Sequence, residues 1–121
     1  MEFIETPAFT RHLATYLDDE GYRLLQIALV EHPEAGVVIP ETGGLRKIRW
    51  GDPRRGKGRR GGLRVIYYYL PEAAHIWLLT MYDKNEADDL TPQQKKAYRQ
   101  LVREIKHAWA ATPKSRRSPD Q

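Results

Sequence analysis

The sequence predicts an α+β fold: a small, curled antiparallel β-sheet with an N-terminal helical hairpin and a C-terminal helix packed on it. Two stretches, residues 7–32 and 91–111, carry apolar side chains at helical spacing. Between them, short runs of β-branched and aromatic residues alternate with glycines and prolines, which is typical of strands joined by turns. With 121 residues, the chain suffices for one domain. We expect this domain to cover residues 1–111, followed by a polar, disordered tail over 112–121.

The N-terminal elements are predicted from their start and stop signals. A short strand is expected over residues 1–5. Thr6 followed by Pro7 is typical of a helix start, because threonine caps free backbone amides and proline is tolerated in the first turn. A second helix opens with the carboxylates of residues 18–20, which a helix N-terminus favours, and Pro33 ends it. Together the two helices form the predicted hairpin.

The strands follow Pro33. Residues 37–39 form a weak candidate and residues 45–50 a better one, while residues 63–70 form the strongest candidate in the chain. A further strand over 74–82 follows across a short turn. The final helix begins at Thr91, where a proline again follows a capping residue.

Positive charge is concentrated in one part of the chain. The formal net charge is +4. Residues 1–45 hold two basic and eight acidic side chains, whereas residues 46–64 hold nine basic side chains against Asp52 alone. A surface with this density of positive charge attracts polyanions. Basic side chains that neutralise phosphates are the usual source of affinity for nucleic acids. The alternative interpretation is a solvated loop that charge keeps soluble.

The composition also excludes several protein classes. The chain has no cysteine, which excludes disulfide frameworks, zinc ribbons, iron–sulfur clusters and thiol nucleophiles. Its four histidines are scattered and the basic region holds no acidic cluster, so we expect neither a metal nor another cofactor. Apolar runs are far shorter than the roughly 20 residues of a membrane helix, and no charged-then-apolar leader opens the sequence. We therefore expect a cytoplasmic protein without a membrane segment.

Three strings of residues carry a resemblance to a known protein family. They are GGLRKIRW at residues 43–50, GGLRVIYYY at 61–69 and LLTMYDKNE at 78–86, the last followed by a Leu-Thr-Pro helix start. With this order of elements, the chain resembles the RelE/ParE toxin superfamily, and most of all its HigB-type branch, from Phe3 to about Trp109. The resemblance implies a toxin of a bacterial type II toxin–antitoxin module that cuts messenger RNA in the ribosomal A site.

The same resemblance implies the partners. A cognate HigA-like antitoxin with a DNA-binding helix-turn-helix domain would neutralise the toxin, which would reach operator DNA only through that antitoxin. The ribosome and messenger RNA would be the targets. ParE-type relatives share the fold but act on DNA gyrase, so a gyrase toxin is one alternative. A non-catalytic nucleic-acid-binding module is another.

RNA cleavage of this kind needs no metal ion. The RNA supplies its own nucleophile, the 2′-OH, so the enzyme has to align it, stabilise charge on the phosphate oxygens and assist two proton transfers. Arginine, lysine and tyrosine side chains provide those functions. The resemblance implies that Arg64 clamps the scissile phosphate and that Lys47 assists proton transfer. Tyr82 would stack on a base or orient the 2′-OH, and Lys84 would act as an acid or as a second phosphate clamp.

A wider set of residues is expected to bind RNA. Arg49 is two residues from Lys47, so a strand places both cations on one face. Residues 51–62 contain five glycines and five basic side chains, and we expect them to form a flexible basic loop. The predicted RNA-binding residues are Arg46, Arg49, Arg54, Arg55, Lys57, Arg59, Arg60 and Glu86.

These residues also have purely structural interpretations. Arg64 would then pair with a carboxylate across the sheet, and Lys84 would be an ordinary turn lysine. Trp50 and Trp77 are expected to be core side chains rather than platforms for bases. A nuclease is favoured over a binding module because several residues of the right chemistry occupy strand positions that can converge. Those residues are Lys47, Arg49, Arg64, Tyr82 and Lys84.

Overall fold

The computed structural model describes residues 1–51, 62–87 and 89–113 of the chain. Its elements are, in order, β1 (Glu2–Glu5), α1 (Pro7–Tyr16), α2 (Asp19–Glu31), β2 (Val37–Val38), β3 (Arg46–Trp50), β4 (Leu63–Leu70), β5 (His75–Asp83) and α3 (Pro92–Ala111). The predicted α+β class is confirmed. Most of the predicted basic loop, residues 52–61, and most of the predicted tail, residues 114–121, lie outside the described residues.

The five strands form one sheet in the order β1-β5-β4-β3-β2. The strands β2 to β5 pair antiparallel, as predicted. The first strand differs, because β1 pairs parallel to β5 and makes the sheet mixed. A parallel pair needs a long connection that returns the chain in the same direction. Here the chain between β1 and β5 contains both N-terminal helices and three strands.

Both N-terminal helices begin where the sequence predicts. Thr6 caps α1 by accepting a hydrogen bond from the backbone N–H of Phe9 at 3.2 Å, and Pro7 opens the helix. Asp18 caps α2 in the same way, accepting from the N–H of Gly21 at 2.7 Å. These caps satisfy backbone donors that have no partner within the helix.

A β-bulge in β5 adjusts the register of the central strands. Ile66 pairs with Thr80, but the next pair of the ladder skips Leu79. The start of α1 holds this bulge, because the Thr6 hydroxyl donates to the carbonyl of Leu79 at 2.6 Å. A bulge places an extra residue in one strand and so resets which side chains face each side of the sheet.

The sheet separates two hydrophobic clusters. One face packs against α1 and α2, and fully buried members of its cluster are Phe9, Leu25, Leu29, Val65 and Leu78. The other face, called here the α3 face, packs against α3, and its cluster includes Leu45, Ile66, Leu79, Val102 and Ile105. Trp50 is buried in the first cluster, as predicted, and Trp77 is partly buried against the second.

The helix α3 begins with a reciprocal pair of hydrogen bonds. Thr91 accepts from the N–H of Gln94 at 3.1 Å, and the Gln94 side chain accepts from the N–H of Thr91 at 2.9 Å. Leu90, one residue earlier, is buried in the cluster of the α3 face. The segment leading into α3 is therefore fixed against the sheet.

Among the described residues, no helix is long and apolar enough to cross a membrane.

Candidate functional site

Three polar side chains form a row across the three central strands of the sheet, each one residue from an end of its strand. Arg49 on β3 pairs directly with Arg64 on β4, and Arg64 pairs directly with Tyr82 on β5. Directly opposed residues of antiparallel strands have Cα atoms about 4.5–5.5 Å apart. Tyr82 packs partly against the cluster of the α3 face, so the row lies on that face. The register therefore brings together three of the predicted site residues.

Lys47 lies on the same face, one row away. It is two residues before Arg49 on β3, and side chains two apart on a strand point to the same side. Its own row continues through Ile66 and Thr80. The spacing between such rows is about 7 Å. A phosphate and an adjoining nucleotide are able to contact both rows at once.

An acidic side chain that the sequence did not indicate lies beside Lys47. Asp89 Oδ1 is 3.6 Å from Lys47 Nζ, and Asp89 Oδ2 is 3.1 Å from Lys95 Nζ in the first turn of α3. The backbone N–H of Leu90 donates to Oδ1 at 2.8 Å. Burial by itself raises the pKa of Asp89, but this hydrogen bond and the two ammonium groups outweigh it and hold that pKa below its ordinary value. Asp89 is therefore an anion at the border of the basic site.

The hydroxyl of Tyr82 is buried and makes no hydrogen bond within the described part of the chain. Burial raises the pKa of Tyr82, the negative charge of Asp89 raises it further, and the positive charge of Arg64 opposes the shift. The phenol is consequently protonated at neutral pH and is able to donate a hydrogen bond. A buried hydroxyl without a partner costs free energy, and an RNA oxygen accepts a hydrogen bond from it only once the side chains that cover it move apart.

Lys84 and Glu86 lie in the turn that follows β5. The backbone N–H of Lys84 donates to the carbonyl of Gly62 at 2.8 Å, and its side chain is exposed. The carboxylate of Glu86 accepts hydrogen bonds from the hydroxyl of Tyr16 and, at 3.1 Å, from the N–H of Asp83. Through these two hydrogen bonds, Glu86 links the turn to α1.

Arg46 lies on the opposite face from Lys47 and Arg49. It is one residue from Lys47 on the strand, and its guanidinium donates to the carbonyl of Gly36 at 2.8 Å and to that of Glu34 at 3.2 Å. These bonds hold the segment before β2 against β3. The structure does not bring Arg46 together with the row of Arg49 and Arg64.

The remaining predicted RNA-binding residues lie outside the described residues. They belong to the segment 52–61 and are Arg54, Arg55, Lys57, Arg59 and Arg60.

The row has the electrostatic character of an anion site. Arg49 and Arg64 are directly opposed, and like charges in this relation disfavour sheet pairing by several tenths of a kcal/mol. An anion bound between them would turn that repulsion into attraction. Guanidinium groups also match phosphate oxygens as paired hydrogen-bond donors. Within residues 1–51, 62–87 and 89–113, no group of three histidine, aspartate or glutamate side chains is arranged to hold a metal ion.

The fold of the chain is similar to that of a solved toxin structure. No family model matches the sequence. The similar structure is that of a double arginine-to-alanine mutant of the E. coli toxin RelE in the free state, with a TM-score of 0.49 and 12% sequence identity. The likeness covers 72% of this chain and 86% of that chain. Membership of the RelE/ParE superfamily and of its HigB-type branch remains a prediction from the sequence.

Asp89 and Lys95 are the site residues that the sequence interpretation did not include. Both lie where a loop gives way to α3, and Asp89 contacts Lys47 on β3, far earlier in the chain, while Lys95 contacts Asp89. The available signal was an aspartate two residues before the capping residue of a helix whose first turn carries a lysine. That pattern is common on solvated helices, and its proximity to Lys47 follows only from the packing of α3.

Proposed function

We propose that this protein is the toxin of a type II toxin–antitoxin module and cuts messenger RNA on the ribosome, without a metal ion, through the 2′-OH of the RNA. The observation that carries the proposal is the row formed by Arg49, Arg64 and Tyr82 on one face of the sheet. Lys47 borders that row, so groups that bind phosphate and groups that hold protons lie together. The resemblance of three strings of the sequence to HigB-type toxins supports the same function.

The arginines supply the phosphate-binding part of the proposed mechanism. The scissile phosphate lies between Arg49 and Arg64, whose guanidinium groups bind its non-bridging oxygens. Negative charge on these oxygens increases as the 2′-oxygen attacks phosphorus, so fixed cations stabilise the transition state more than the bound RNA. The pairing of β3 with β4 holds the backbones of the two arginines side by side, so both guanidinium groups extend from the same part of one face.

Tyr82 and the lysines supply the proton-handling part. The Tyr82 phenol, protonated at neutral pH, donates a hydrogen bond to the phosphate or to the 2′-oxygen and aligns the nucleophile with the leaving oxygen. Lys47 is paired with Asp89 and borders the row, which suits a group that stabilises negative charge during the proton transfers. As the 2′-oxygen bonds to phosphorus and the bond from phosphorus to the 5′-oxygen breaks, the 2′-OH proton passes to water, and Lys84, exposed in the turn after β5, donates a proton to the leaving 5′-oxygen.

The partners and the location are proposed from the resemblance. The antitoxin is a HigA-like protein with a helix-turn-helix domain, and operator DNA is contacted through that domain. The ribosome presents the messenger to the toxin in the cytoplasm. Three basic side chains of the α3 face form the surface that meets the RNA backbone. They are Lys47, Arg49 and Arg64.

The experiment that tests this function is primer extension on a defined messenger in a reconstituted translation reaction. It compares the intact protein with Arg64→Ala and with Arg103→Ala, a control that removes an exposed arginine from α3. Circular dichroism and thermal unfolding establish that each variant is folded. We expect in-frame cuts from the intact protein and from Arg103→Ala, and at least about a 100-fold loss with Arg64→Ala, as for other fixed groups that stabilise a transition state.

Two results would count against the proposal in different ways. If the intact protein makes no cuts while a known ribosome-dependent toxin does so in the same reaction, the nuclease function is wrong, and a gyrase-supercoiling assay tests the ParE-type alternative. If Arg64→Ala cuts as well as the intact protein, the nuclease function stands but its site is not the row described here.

A further inference from the structure

We propose that Asp89 is a positioning residue of this site, which holds Lys47 in place and keeps RNA phosphate away from the start of α3. The inference rests on the proposed function, since it assigns a task within the same reaction. It is carried by the geometry of one carboxylate between two ammonium groups from different elements.

The backbone that follows Asp89 is fixed against the sheet. Oδ1 of Asp89 accepts from the backbone N–H of Leu90 at 2.8 Å, and Leu90 is 5% exposed, within the cluster of the α3 face. The reciprocal cap between Thr91 and Gln94 follows immediately. The backbone that follows Asp89 is therefore held in place, and the carboxylate, which is 43% exposed, extends from this fixed point toward Lys47.

The two oxygens of Asp89 have different partners. Oδ1 lies 3.6 Å from Lys47 Nζ, and Oδ2 lies 3.1 Å from Lys95 Nζ. Both oxygens thus face an ammonium group, and the ion pair at Oδ1 favours directions of the Lys47 side chain that keep its ammonium group near Asp89. A lysine side chain has four rotatable bonds, and a fixed counter-ion limits the positions that its ammonium group samples. Asp89 therefore acts on the reaction through Lys47 rather than by touching the RNA.

The charge of Asp89 has a second effect: it weakens the binding of RNA, although the first effect promotes cleavage. An anion at this place repels phosphate from Lys95 at the start of α3, and so favours phosphate binding farther along the face, at Arg49 and Arg64. Removing that charge makes the whole surface more attractive to RNA. Loss of Asp89 should therefore strengthen RNA binding while slowing cleavage. A solvated ion pair of no functional consequence would change neither quantity by much.

The test separates binding from cleavage in the full-length protein. The variants are Asp89→Asn, Asp89→Glu, and Glu104→Gln, a control that makes the same change in net charge on an exposed residue of α3. Binding is measured by fluorescence anisotropy with an RNA oligonucleotide in which every 2′-OH is methylated, which cannot be cut. Cleavage is measured as the single-turnover rate on messenger-loaded ribosomes with saturating toxin.

We expect Asp89→Asn to bind the methylated RNA about two- to fivefold more tightly at low salt and to cut about tenfold more slowly. Asp89→Glu keeps the charge on a longer side chain, so it should bind as the intact protein does and recover most of the rate. Glu104→Gln should cut at the full rate. Tighter binding with slower cleavage is a combination that a loss of folding does not produce.

Three outcomes would overturn the inference. An Asp89→Asn variant that cuts at the full rate shows that Lys47 does not depend on Asp89. A variant that binds more weakly and cuts more slowly, with a lowered melting temperature, shows that Asp89 acts on folding alone. If the intact protein cuts nothing, the proposed function fails and this inference fails with it, which distinguishes that case from the first two.

Discussion

Arg64 on β4 lies directly across from Tyr82 on β5, and this pairing depends on the bulge at Leu79. Without the extra residue, the part of β5 beyond the bulge would shift by one position and turn Tyr82 to the other face. The bulge carbonyl accepts a hydrogen bond from the hydroxyl of Thr6, at the start of α1. The candidate site on one face of the sheet is thus positioned by a helix on the other.

Removing the hydroxyl of Tyr82 should separate activity from stability. Tyr82→Phe deletes a buried hydroxyl that has no partner in the described part of the chain, so the free energy of unfolding should stay the same or rise by up to about 1 kcal/mol. The cleavage rate should fall by about tenfold or more, because the phenol donates to the reacting groups. Urea unfolding and single-turnover cleavage measure the two quantities.

Tyr69→Phe is the matched control, since Tyr69 packs against the cluster on the opposite face. It should cut at the rate of the intact protein. A Tyr82→Phe variant with undiminished cleavage would remove Tyr82 from the mechanism.

Replacing Tyr67 by phenylalanine should lower the stability of the protein and leave the cleavage rate unchanged. The Tyr67 hydroxyl accepts from the N–H of Gly36 at 2.9 Å and donates to the carbonyl of Pro33 at 2.8 Å, and the residue is fully buried. Tyr67→Phe leaves both backbone groups without their partner, which should lower the free energy of unfolding by about 1–3 kcal/mol. Cleavage per folded molecule should be unchanged. Equal stability of Tyr67→Phe and the intact protein would show that these bonds contribute nothing.

The stability of the protein should fall at alkaline pH because tyrosines that are hydrogen-bonded to carboxylates lose their protons. Burial raises the pKa of Tyr22, and its hydrogen bond to Glu5 raises it further. The hydrogen bond to Glu86 is the main cause that raises the pKa of Tyr16 to about 12. A phenol with a higher pKa in the folded state binds more protons there than in the unfolded chain above pH 10. The phenol therefore contributes its full stabilisation below about pH 10, and this contribution is lost as the pH rises toward the pKa of the phenol in the folded protein.

Tyr22→Phe tests this pH dependence. The free energy of unfolding, measured by urea titration from pH 8 to pH 11.5, should decrease less steeply with pH for this variant than for the intact protein. Some decrease should remain in the variant because Tyr16 still titrates. Parallel curves for the two proteins would show that Tyr22 has the same pKa in the folded and unfolded states.

The strands of the sheet could be predicted where local sequence determines them. The run of β-branched and aromatic residues at 63–70 coincides with β4, and the punctuation by glycine and proline separates the neighbouring strands. The pairing of β1 could not be predicted. Its four residues fit either edge and either direction, and the parallel ladder with β5 is decided by tertiary packing.

The candidate site was predictable to the extent that alternation along a strand determines it. Lys47 and Arg49 share a face because they are two residues apart. The same rule places Arg46 on the other face, whereas the sequence interpretation grouped it with them on charge alone. Asp89 could not be found in this way, because its contact with Lys47 joins two segments that only the folded chain brings together.

The central claim is that the row of Arg49, Arg64 and Tyr82 cuts messenger RNA through the 2′-OH of the RNA itself. The most direct measurement uses ribosomes loaded with a messenger that carries a single 2′-deoxynucleotide on the 5′ side of a mapped cut. We expect the intact protein to lose cleavage at that phosphate by at least about 100-fold, because the nucleophile is missing, while it still cuts the unmodified messenger. Cleavage of the deoxy-substituted messenger at the same position and rate would contradict the claim, since it would require a nucleophile other than the 2′-OH.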